Sequence, residues 1–70
     1  MNSRNTYIIT SERGKLFLTA DENAACQFYR LIARDVRSGY TKRCELTVKY
    51  FDEKQLAVVE KIVAREGVQE

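Results

Sequence analysis

The chain has 70 residues, 44% of them hydrophobic and 31% charged, with a formal net charge of +2. That length supports one domain, 1–70, and the composition is that of a folded, soluble chain. There is no histidine. A zinc site would therefore need carboxylates or a second chain, and a cysteine nucleophile has no imidazole base.

Cys26 and Cys44 form no C-x-x-C pair. Two free thiols fit a reducing cytoplasm better than a secreted setting. No apolar run approaches the roughly 18 residues of a membrane span. Met1 to Thr6 is polar and lacks the apolar stretch of a signal peptide. Met1 to Asn5 reads as a frayed tail.

Tyr7 to Ser11 and Lys15 to Thr19 are rich in β-branched and aromatic residues, and Glu12-Arg13-Gly14-Lys15 lies between them. Gly14 can supply the positive φ of a tight hairpin turn. With Arg13-Gly14 as the two-residue loop, Tyr7, Ile9, Leu16 and Leu18 share the core face. Ile8, Thr10, Phe17 and Thr19 then share the other.

A helix follows. Thr19 with Glu22 forms one candidate capping box, and Asp21 is a rival N-cap. Ala24, Ala25, Phe28, Leu31, Ile32 and Val36 recur at helical spacing, and Gly39 fits the C′ terminator. Asp35 falls inside the apolar arc. Arg30, Arg34 and Arg37 recur at i, i+4 and i+7 and form a stripe on the opposite side.

Tyr40 to Tyr50 alternates. Cys44, Leu46, Val48 and Tyr50 face one way, and Arg43, Glu45, Thr47 and Lys49 the other, which predicts a strand with one wet face. Phe51-Asp52-x-x-Gln55-Leu56 reads as the start of a second helix, with Asp52 as cap, Gln55 as its reciprocal partner and Phe51 stapled onto Leu56. Leu56, Val59, Ile62 and Val63 supply its stripe, and Gly67 ends it.

The predicted fold is α+β: a small two-layer sandwich in β-β-α-β-α order, a three-stranded sheet with two helices on one face. Its core would contain Tyr7, Ile9, Leu16, Leu18, Phe28, Leu31, Ile32, Leu46, Val48, Leu56, Val59, Ile62 and Val63. The bare sheet face would carry Ile8, Phe17, Arg43 and Lys49.

The main functional signal is charge. Between residues 30 and 43, Arg30, Arg34, Arg37, Lys42 and Arg43 stand against Asp35 alone, a local net of +4. Arginine makes bidentate contacts to carboxylate or phosphate, so the stripe suits an acidic partner, either a protein surface or a nucleic acid. The plainer reading is a solvated helix face with cations placed well against the helix dipole. A second surface, Ile8, Phe17 and Lys49, suits either self-association as a homodimer or docking of the target. An aromatic beside cations on a sheet also suits single-stranded nucleic acid, but no ribonucleoprotein consensus is present.

The expected function is that of a non-catalytic binding or inhibitory accessory protein that docks an acidic macromolecular surface. By analogy, small bacterial and phage accessory proteins are chains of this kind. A nucleic-acid-binding regulator is the main alternative. A histidine-free ribonuclease using Tyr40, Lys42, Arg43 and Arg37 is the third. No catalytic residue, metal site or cofactor is assigned, since no paired-carboxylate motif or glycine-rich phosphate loop is present.

Overall fold

The computed structural model describes residues 5–68. Apart from Asn5, the expected tail at Met1–Asn5 lies outside the described residues. The elements are β1 (Thr6–Ser11), β2 (Gly14–Thr19), α1 (Glu22–Ser38), β3 (Arg43–Asp52) and β4 (Ala57–Gly67). All four strands form one antiparallel sheet in the order β2-β1-β3-β4. β2 and β3 thus run parallel with β1 between them, and α1 makes the crossover on one face.

This corrects the predicted fold. The chain is α+β, but it has four strands and one helix in β-β-α-β-β order instead of three strands and two helices. The segment expected to be a second helix is a turn followed by an 11-residue strand. Asp52 does accept from its neighbours, as a cap would: the Lys54 N–H donates to Oδ1 at 2.9 Å and Gln55 Nε2 to Oδ2 at 3.1 Å. Those bonds close the β3–β4 turn. Beyond it Val58, Val59, Ile62 and Val63 are β-branched, a density that favours a pleated strand over a helix.

The hairpin register also differs from expectation. Glu12-Arg13 forms the turn, and Gly14, at φ 111°, opens β2 opposite Ser11. Ile9 pairs with Phe17 and Thr10 with Lys15, which leaves Leu16 as an extra, bulged residue. This one-residue change turns Phe17 inward and Leu18 outward.

The core centres on Ile9, Ala25 and Leu46, with Tyr7, Phe17, Phe28, Tyr29, Ile32 and Ala64 packed against it. Cys44 and Val48 are buried as expected. Leu16, Leu18, Leu31, Leu56, Ile62 and Val63, all expected inside, are exposed. The missing second helix accounts for much of this, because nothing packs onto the outer side of β4.

Candidate functional site

The arginine stripe rests on a well-terminated helix. Asp21 is the N-cap: the Asn23 N–H donates to its Oδ1 at 2.9 Å. Thr19, the alternative cap, accepts instead from the Asp21 N–H at 3.0 Å. At the other end Gly39 adopts φ 89°. The Gly39 N–H donates to the Val36 carbonyl and the Tyr40 N–H to the Asp35 carbonyl, at 3.2 and 2.9 Å. These are the two bonds of a Schellman cap.

Arg30, Arg34 and Arg37 are all exposed on α1. With Tyr29, Leu31 and Ala33 they line a shallow depression on the helix. Leu31 is 54% exposed there, an apolar side chain among cations. Arg37 Nε lies 3.5 Å from Glu66 Oε2 on β4. Among the described residues no ion pair engages Arg30 or Arg34, whereas Arg13, Arg37 and Arg65 each have a glutamate within 4.0 Å.

The β1–β2 turn is fastened to the end of this surface. The Lys42 and Arg43 N–H groups donate to Glu12 Oε1 at 3.2 and 3.4 Å. Arg13 Nη2 donates to the Tyr40 carbonyl at 3.1 Å. Loss of surrounding water pushes the Glu12 carboxyl up, but its own amide, the Lys42 and Arg43 amides and Arg13 outweigh that. The net result holds it below the usual carboxylate range. Glu12 therefore keeps its charge and orders the loop that presents Tyr40 and Lys42.

Tyr40 is 76% exposed, and Lys42 is also in solvent. Arg43 is half-buried. Its backbone pairs with Gly67, and its side chain lines a hollow with Thr10, Ser11 and Glu45 at the end of the sheet. Of the five cations read from the sequence, three share the outer face of α1, while Lys42 and Arg43 continue around the end of the sheet. Arg13 was missed. It lies 27 residues from Tyr40 in sequence, and only the fastening of the turn brings it there.

The second surface is partly rearranged. Ile8 and Lys49 lie on the sheet face away from α1, as expected, but Phe17 does not. Its ring stacks on Phe28 on the helix side. Leu18, opposite Ile8, takes its place on the open face.

Both cysteines are free. Cys44 is buried against the Tyr29 hydroxyl. Burial pushes its thiol up, and the Tyr29 hydrogen bond offsets this only in part. Burial, then the neighbouring Cys44, pushes the Tyr29 hydroxyl up to about 12. Both groups stay neutral at physiological pH.

No described helix is long and apolar enough to cross a membrane. Comparison with protein-family models, with curated proteins and with solved structures returns no match.

Proposed function

We propose that this is a non-catalytic binding protein whose arginine face, Arg30, Arg34 and Arg37, docks an acidic macromolecular surface. The observation that carries this reading is the exposure of Arg30 and Arg34 on a well-capped helix, neither engaged in an ion pair among the described residues, beside an exposed Leu31. The planar fork of an arginine suits a carboxylate pair. Leu31 adds apolar contact that a phosphate backbone does not reward, which favours an acidic protein. Arg13, Lys42 and Arg43 widen the positive field at the helix C-terminus.

A nucleic-acid partner is the second reading, favoured by the exposed side chain of Tyr40, a residue whose carbonyl accepts from Arg13. Salt dependence separates the two. A nucleic-acid complex loses affinity with a log–log slope of about −0.7 to −0.9 per neutralised phosphate, across many sequences. An inhibitor-like complex selects one protein and ignores random oligonucleotides.

A further inference from the structure

Among the described residues the one helix packs on one face of the sheet and no element packs on the other, whose residues follow an ordered pattern. Cross-strand neighbours Leu18, Ile8, Thr47 and Ile62 form one row across all four strands. Ile8 and Thr47 are buried at its centre, and Leu18 and Ile62 are 55% and 45% exposed at its ends. Charged rows flank it. On one side Lys15, Thr10, Glu45 and Arg65 are neighbours. On the other, Thr6 lies beside Lys49 and Lys49 beside Glu60.

We propose that this face binds a second copy of the same chain, face to face, about a two-fold axis running along the row Leu18–Ile8–Thr47–Ile62. The charge pattern selects that axis. Rotation about it places each strand antiparallel over its own copy, so the flanking row on one side meets the partner copy's flanking row from the other side. Glu45 then opposes the partner copy's Lys49, and Arg65 opposes its Glu60. Each intrachain pair, Glu45 with Arg65 and Lys49 with Glu60, lies over a pair of inverted sign, and symmetry repeats the arrangement on the other side. An axis parallel to the strands instead sets Lys15 against Arg65 and leaves Glu45 over Thr10. That arrangement opposes like charges and satisfies none.

Two sheets stacked in this way form an aligned sandwich about 10 Å apart, with Ile8 and Thr47 of both copies at its centre and Leu18 and Ile62 at its ends. Both helices lie outside, so the arginine faces point away from each other. Ile8 and Thr47 are already buried, so little further apolar surface is gained on pairing, and the contact falls short of the ~800 Å² per partner of a standard stable interface. The dimer is therefore weak and concentration-dependent. This inference stands independently of the acidic-partner reading, because its test uses only this chain.

The test is a charge-swap pair followed by sedimentation equilibrium from micromolar to millimolar protein. One variant carries Lys49→Glu with Glu60→Lys, the other Glu45→Lys with Arg65→Glu. Each keeps its net charge and its intrachain opposite-charge pair, but turns the contacts to an identical copy repulsive. Each alone should dimerise at least tenfold more weakly than the unmodified chain. Mixed together, they should recover dimerisation, because every inter-copy contact in the heterodimer is again attractive. In the unmodified chain, amide signals of Ile8, Thr47 and Ile62 should shift on dilution while those of Arg30 and Arg34 stay fixed, a readout that needs no variant. A chain monomeric throughout would overturn the proposal. So would variants that dimerise as well as the unmodified chain, a mixture that stays monomeric, or dilution shifts confined to α1.

Discussion

The Phe17 ring stacks on Phe28 with centroids 4.6 Å apart and planes 25° from parallel. This contact joins the edge strand β2 to α1. Removing a packed phenylalanine typically costs about 3–5 kcal/mol, and half-exposure places Phe17 toward the lower end. A domain of this size has roughly 5–15 kcal/mol in all. Phe17→Ala should therefore lower the urea midpoint sharply, while Leu18→Ala, on the open face, should move it far less. Equal shifts would show that the two residues are not on opposite faces.

The hairpin explains why this contact was hard to read in advance. Gly14 was legible as a positive-φ position. Which pair forms the two-residue loop was not, since Glu12-Arg13 followed by glycine and Arg13-Gly14 satisfy the same local chemistry. The bulge at Leu16 goes with the stacking of Phe17 on Phe28, a contact no short window contains. α1 was legible from its helical spacing and from Gly39, while the N-cap stood open between Thr19 and Asp21 and Leu31, read as part of the buried stripe, is 54% exposed. β3 was legible from strict alternation. β4 was not. As an edge strand it has mixed character on both faces, and a bulge at Val63 breaks its period of two. Asp52 and Gln55 make the same bonds in a turn as at a helix start. The β-branched density of Val58, Val59, Ile62 and Val63 was the signal available. The arginine stripe was visible by spacing alone, but Arg13 joins it only through tertiary structure.

Gly67 is a second point of close approach. It pairs with Arg43 at φ 93°, and an added Cβ would stand 2.3 Å from the Lys42 carbonyl oxygen. That oxygen is backbone and cannot swing away. Gly67→Ala should cost at least about 2 kcal/mol, combining the left-handed penalty with a clash. Gly14→Ala has φ 111° but no atom within 4 Å, so it should cost only about 1 kcal/mol. Thermal melts of the two variants compare these costs directly.

Leu56 adopts φ 52° at the β3–β4 turn and is 77% exposed. A leucine there carries a left-handed penalty of about 1–2 kcal/mol and gains little burial. Leu56→Gly should raise stability by about 0.5–1 kcal/mol, a few degrees in melting temperature. A lower melting temperature would mean that the Leu56 side chain makes a contact worth more than the strain.

Tyr29 supplies the pH prediction. Its hydroxyl is raised from 10.0 to about 12 by burial first and by Cys44 next. A raised folded value means that the unfolded chain loses this proton first as pH climbs. Its contribution is therefore complete below pH 10 and is lost as pH rises through about 12. Tyr29→Phe should flatten the alkaline limb of the stability curve and remove a tyrosinate absorbance step near pH 12. Cys44, beside it, should resist iodoacetamide until the chain unfolds, while the half-buried Cys26 reacts first.

The central claim is that α1 binds through its outward arginines. The most direct measurement is affinity capture from native lysate, with and without nuclease, using the unmodified chain and the triple variant Arg30→Glu, Arg34→Glu, Arg37→Glu. Circular dichroism should show the variant folded, because among the described residues Arg30 and Arg34 have no ion pair to lose and Arg37 loses only an exposed one. If the arginines dock an acidic protein, that protein is held by the unmodified chain, retained after nuclease and absent from the folded variant. The same protein captured equally by both chains would contradict it, and capture abolished by nuclease would transfer the arginine face to a nucleic acid.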